Sequence, residues 1–170
     1  MTMQYDVKTA LIHGSGLLVK ARCRMKQGTI IGNGTAGQID FFDSITAPVA
    51  ATYSRTANVV TITSTAHGLG NGAKIGIAYN SLANVSPVSG NYVITVTSAD
   101  TFTVTDYNSG NIANTAVCNY TNTDGNWIMG LNTLTGVQPF QLLIPGEGIL
   151  CQAGIYALSN NIVSTQVTYG

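Results

Sequence analysis

Val59-Val60-Thr61-Ile62-Thr63, Thr65-Ala66-His67-Gly68-Leu69-Gly70-Asn71-Gly72 and Ala73-Lys74-Ile75-Gly76-Ile77-Ala78-Tyr79 follow one another through the middle of the chain. Two runs rich in β-branched residues flank a turn dense in Gly and Asn, the signature of two strands joined by a loop. The pattern restarts after a Ser/Asn/Pro loop, at Ser89-Gly90-Asn91-Tyr92-Val93-Ile94-Thr95-Val96. A tight Ser98-Ala99-Asp100 turn leads into Thr101-Phe102-Thr103-Val104. Four short strands in succession predict a small antiparallel β-meander.

The order of motifs is a strand, His67-Gly68-Leu69, a turn ending at Gly72, a strand, a Gly90-x-Tyr92 strand and a closing Asp100-x-Phe102-Thr103-Val104. This order resembles a small β-module common in tail, fibre and head-surface proteins of tailed bacteriophages. The matching positions are His67, Gly68, Leu69, Gly72, Gly90, Tyr92, Asp100, Phe102 and Val104. The module usually has an acidic residue just after the turn, where Ala73 and Lys74 stand here. The resemblance implies a virion structural protein, assembled in the host cytoplasm, without saying which one.

Charged residues make up only 8% of the 170, and seven basic residues cancel seven acidic ones. Ordinary soluble chains carry roughly 25%. So little charge favours a β-rich fold whose surface is covered in an assembly, and neutrality argues against a general nucleic-acid binder. No apolar run approaches a membrane span, and Met1 to Asp6 does not open a signal peptide. Cys23, Cys118 and Cys151 are scattered without a Cys-x-x-Cys, so they read as buried free thiols, with no zinc site or disulfide framework expected.

Outside the central block, Val7–His13 reads as a strand broken at Gly14-Ser15-Gly16. Leu17–Lys26 alternates more regularly than any other stretch. Val19, Ala21, Cys23 and Met25 fall on one side of a strand; Lys20, Arg22, Arg24 and Lys26 fall on the other. That basic row is the candidate docking surface. Gln38–Asp43, a weak strand around Ala116–Tyr120, Trp127–Met129, and Gln138–Ile144 with an edge-marking Pro139 follow. Ile149–Leu158 reads as a core strand, with a hairpin at Ser159-Asn160-Asn161 into Ile162–Tyr169. Helical periodicity is missing throughout. The expected fold is all-β: a jelly-roll-like β-sandwich from residues 1–50 and 125–170, interrupted by a small antiparallel β-insert at 51–124.

Catalytic readings fare poorly. Gly32-Asn33-Gly34-Thr35-Ala36-Gly37 is a literal Gly-x-Gly-x-x-Gly, but strand-like residues follow it where a dinucleotide site needs a helix, so a hairpin turn is expected. His13 and His67 are too few for a metal site, and His67 reads as bonding the backbone of its own turn. Glu147, the only glutamate, sits between glycines, and Asp40 and Asp43 fall on opposite faces of their strand. No cofactor is expected and no enzymatic activity. The expected function is a capsid decoration or cement subunit, forming a homotrimer and binding the major capsid protein, with no nucleic-acid or membrane partner. The alternatives are a tail adaptor or fibre component, or a carbohydrate- or receptor-binding module in which Tyr53, Tyr79, Tyr92, Tyr107, Tyr120 or Trp127 stack on sugars.

Overall fold

The computed structural model describes residues 7–80, 86–122, 125–136 and 139–170. Met1–Asp6, the first half of the Ser81–Ser89 loop, Asp124 and Gln138 lie outside the described residues. Among the described residues every regular element is a β-strand, and the strands pair antiparallel. Among the described residues no helix is long and apolar enough to cross a membrane. The chain divides into two compact units, 1–47 with 128–170, and 48–127.

The first unit is a two-sheet sandwich. One sheet runs β1 (Lys8–Ile12), β16 (Ile162–Tyr169), β3 (Cys23–Gly32), β13 (Pro139–Leu143), with β14 (Ile149–Cys151) also on β3. The other runs β12 (Asn126–Thr133), β4 (Gly37–Asp43), β15 (Ile155–Asn160), β2 (Gly16–Val19). Val19, Cys23, Met25, Ile30, Ile39, Phe41, Cys151, Ile155, Ala157, Ile162 and Val167 form one core contributed by both sheets.

Successive strands here change sheets, which corrects four expectations. The Gly32–Gly37 loop is not a hairpin, because β3 and β4 lie in different sheets; the same holds for Asn161, at φ 58, between β15 and β16. Leu17–Lys26 is not one strand. It breaks at Lys20-Ala21-Arg22, leaving β2 in one sheet and β3 in the other, and Ala21 is exposed. Ile149–Leu158 likewise breaks at Gln152-Ala153-Gly154.

The two breaks are one feature. Val19 pairs with Ile155 on one side of the break, and Cys23 pairs with Cys151 on the other. A single antiparallel ribbon therefore bends from sheet to sheet. Asp43 fixes the bend: its carboxylate accepts the N–H groups of Gln152 (2.8 Å), Ala153 (2.7 Å) and Gly154 (3.2 Å). Those three N–H groups would otherwise lose their partners where the ladder stops. Gly154 must be glycine, since a Cβ there would strike the Val19 carbonyl.

The second unit is a single seven-stranded sheet in the order β8 (Gly90–Val93), β7 (Lys74–Tyr79), β11 (Ile112–Tyr120), β5 (Val49–Thr56), β6 (Val59–Thr63), β10 (Thr101–Thr105), β9 (Thr95–Val96). The two ends of this order, β8 and β9, are consecutive in the chain and separated only by Ile94. Ile94 bonds the β7 side, donating its N–H to Ala73 O (3.0 Å) and accepting from Gly72 N–H (3.0 Å). The sheet thus curls into a nearly closed barrel, which leaves little free edge. The four-strand meander is an underestimate: β5 stands at the middle of the sheet, and the weak strand near Ala116 is β11, between β7 and β5. The barrel is filled by Tyr53, Val60, Ile62, Leu69, Ile75, Ile77, Tyr79, Ile94, Phe102, Val104, Cys118 and Tyr120, with Ala51 at its margin.

Candidate functional site

The His67 turn is built from both ends of the motif. Gly68 and Gly72 take φ of 65° and 80°, conformations that cost glycine little. The chain doubles back on itself so that His67 Nδ1 accepts the Leu69 N–H at 3.0 Å. That bond leaves the proton on Nε2, which donates to Ser98 O at 3.1 Å. Asp100 completes the link: its Oδ1 accepts the Ala66 N–H (2.7 Å), and its carbonyl accepts the Ser64 N–H (2.9 Å). The β6–β7 loop and the β9–β10 turn are therefore held together by His67 and Asp100. Leu69 is buried beneath them, and the His67 ring meets Phe102 edge-on at 5.2 Å. Phe102 meets Tyr120 in turn at 5.4 Å, and Tyr120 Oη lies 2.9 Å from Ser64 Oγ. Both ring nitrogens of His67 are thus engaged by backbone groups. Tyr92, half buried, hydrogen-bonds Val88 O, and Val104 is buried in the barrel.

The four basic docking candidates do not form a row. Lys20 and Arg22 lie in the ribbon's bend, just after β2, both exposed; Arg24 and Lys26 are half-buried on β3. Arg22 Nε donates to Gln152 Oε1 at 3.0 Å, tying one side of the bend to the other. The alternation of charge reads as one straight strand in the sequence, and the bend divides it into a basic corner and a basic strand end.

The remaining titratable candidates are dispersed. His13 and Glu147 are exposed, while Asp40 and Asp43 are both buried. Gln38 Nε2 donates to Asp40 at 2.7 Å. Among the described residues no cluster of three or more His, Cys, Asp or Glu is arranged to hold a metal ion. The Gly-rich loop passes directly into β4, with Asn33 Oδ1 accepting from Thr35 N–H (3.0 Å) and Thr35 Oγ–H (2.6 Å).

Of the six aromatic candidates, Tyr53, Tyr79 and Tyr120 are core residues. Burial pushes the Tyr53 and Tyr79 hydroxyls above their ordinary range. Tyr107 is 92% exposed and borders a cleft of about 360 Å³ with Asn91, Tyr92, Val93, Thr105 and Asp106. Asn91 is committed to the Trp127 backbone, donating to its O (3.0 Å) and accepting from its N–H (2.8 Å).

Two features escaped the sequence reading. One is a buried ion pair between Arg55 and Asp106. The other is the pairing of Cys23 with Cys151, which residue spacing does not reveal. The chain matches no family model, no curated protein and no solved structure.

Proposed function

We propose that the protein is a non-enzymatic structural subunit of a tailed-phage virion, a decoration or cement protein on the head surface, assembling as a homotrimer and binding the major capsid protein. The observation that carries this reading is the outward face of the first unit's five-stranded sheet. Its cross-strand rows are Leu11–Gln166–Thr29–Gln141 and Thr9–Thr168–Gln27–Leu143. None of these residues is charged, and Leu11 and Leu143 are 57% and 72% exposed. A neutral face of leucines, threonines and glutamines suits contact with a second copy, because no like charges meet across it. The basic corner at Lys20 and Arg22, with Arg24 and Lys26 at the start of β3 beyond the neutral rows, suits an acidic capsid loop. The His67 module adds the likeness to head-surface and tail proteins.

A second reading, a tail adaptor, fibre or receptor-binding component, is favoured by the cleft beside Tyr107, whose exposed ring offers a stacking face to a sugar. Counting copies in purified particles by quantitative mass spectrometry tests the proposal. Hundreds of copies support the head surface. About three to eighteen, the numbers that closed symmetric rings give, support the tail reading. Absence from particles overturns both.

A further inference from the structure

We propose that Cys23 and Cys151 are an oxidative modification site, two facing thiols that a peroxide converts into an intramolecular cross-strand disulfide. They are 128 residues apart in the chain (151 − 23) and directly opposed in the β3–β14 register. Opposed residues on antiparallel strands have Cα atoms about 4.5–5.5 Å apart, within the roughly 4.4–6.8 Å that disulfides span. Cys151 Sγ also lies 3.8 Å from Ile149 O on its own strand, to which it donates. Both residues are buried beside the ribbon's bend, where Asp43 and the Arg22–Gln152 bond hold the two strands in place. The pair is therefore positioned to close with little movement of the backbone. Cys118, in the core of the other unit, has no cysteine opposite it: its register partners are Ala51 and Tyr79.

The reaction balances with peroxide alone. The Cys23 thiolate attacks one peroxide oxygen, the O–O bond breaks, Cys23 becomes a sulfenic acid, and the departing hydroxide takes up the proton the thiol gave up. The Cys151 thiolate then attacks that sulfur, the S–O bond breaks, and the second hydroxide leaves and is protonated to water by the proton from Cys151. Two thiols are oxidised to one disulfide, and hydrogen peroxide is reduced to two waters. Cys23 is the entry point, since it is 7% exposed and Cys151 is fully buried. Burial raises the Cys23 thiol and pushes that of Cys151 up to about 12, so both are protonated near neutrality and the reaction is slow there. The product closes a covalent loop around residues 48–127, the whole of the second unit, and a loop of that length strongly constrains the unfolded chain.

The test uses the full chain, treated with hydrogen peroxide at mildly alkaline pH and then analysed intact and by non-reducing peptide mapping. The expected result is a mass lower by two hydrogens, one cross-linked peptide pair containing Cys23 and Cys151, and an alkylatable Cys118 after unfolding. Thermal unfolding should shift upward by roughly 5–15 °C and return on adding dithiothreitol. The Cys118→Ala variant should behave identically, and Cys23→Ala should show neither the mass change nor the shift. Sulfinic or sulfonic acids in place of the cross-link, disulfides between chains, or an unchanged mass would each overturn the assignment. The mapping on the unsubstituted chain decides the question even if a variant fails to fold.

Discussion

Arg55 Nη1 lies 2.6 Å from Asp106 Oδ2, and neither side chain reaches solvent. The guanidinium also donates through Nε to Gly110 O at 3.0 Å, and the second carboxylate oxygen of Asp106 accepts the Val88 N–H at 3.1 Å. This pair gathers β5, the loop before β8 and the segment after β10 at one end of the barrel. Desolvating two charges is costly, and their attraction and hydrogen bonds offset that cost only while both are present. Arg55→Met is expected to destabilise the second unit by about 3–5 kcal/mol, because it leaves a buried carboxylate without its counter-charge. The double variant Arg55→Met/Asp106→Leu should lose less than the single one. Urea denaturation followed by tyrosine fluorescence checks both; a single variant as stable as the parent would show that the pair does not hold that end of the barrel.

His67→Ala removes the acceptor for Leu69 N–H and the donor for Ser98 O together. Each buried backbone group left unpaired costs about 1–3 kcal/mol. The expected outcome is a fall in stability of that order, with the amide of Leu69 exchanging with deuterium far faster while amides in β5 and β11 stay protected. Unaltered exchange at Leu69 would mean that the ring does not organise the turn.

How far the sequence was readable follows from the same residues. The all-β class was legible, because β-branched alternation and Gly/Asn turns are local signals. The His67 turn was legible for the same reason. The sheet-crossing bend was not, since nothing local distinguishes a straight Leu17–Lys26 from one broken at Ala21. The break is set by Asp43, whose carboxylate binds residues more than a hundred positions away. Strand β5 was hidden by Arg55, a charge at a core-facing position whose partner Asp106 is 51 residues distant. Cys23 and Cys151 likewise meet only through the register of β3 and β14.

Gly76 is expected to tolerate no side chain. A Cβ there would strike the Trp127 backbone nitrogen and come within 2.8 Å of the Asn126 carbonyl carbon. The close approach is also where Thr121 Oγ1 accepts from Gly76 N–H (2.8 Å) and donates to Gly125 O (2.6 Å). Gly70 has open space around its Cβ position. Gly76→Ala should therefore abolish or severely destabilise the folded barrel, whereas Gly70→Ala changes stability by well under about 1 kcal/mol. Soluble yield and thermal melts of the two variants make the comparison, and equal tolerance would refute the close approach.

Alkali should weaken the fold. Burial pushes the Cys118 thiol from its ordinary 9.0 up to about 12, and that of Cys151 moves the same way. A group whose pKa is raised by folding contributes stability that is complete below its unfolded value and declines as pH rises towards the folded one. Stability should accordingly be flat up to about pH 9 and fall between pH 9 and 12, with Cys118 alone contributing a slope of at most about 1.4 kcal/mol per pH unit. Urea midpoints measured from pH 7 to 11 check the window, and Cys118→Ala should make the decline shallower. A midpoint independent of pH across this range would show that the thiols are not buried as described.

Each unit has a core of its own. The hydrophobic cluster of the first unit draws only on residues before 48 and after 127, and that of the second only on residues between them. The chain leaves the first unit just after β4 and re-enters it in β12, and these two strands are neighbours in one sheet. A short linker can therefore join Ala47 to Ile128, and the entropic cost of such a loop grows only slowly with its length. Removal of 48–127 is expected to leave a β-rich, cooperatively melting remainder, in which the Cys23–Cys151 pair is still opposed and Asp43 still holds the bend. The excised segment, expressed alone, should also fold, because its sheet closes on itself through Ile94 and needs no strand from elsewhere. Far-ultraviolet circular dichroism and thermal melts of the two pieces test this separately. A remainder that lacks a cooperative transition while the excised barrel keeps one would mean that the sandwich depends on its insert, and loss of folding in both would mean that the two cores are one cooperative unit.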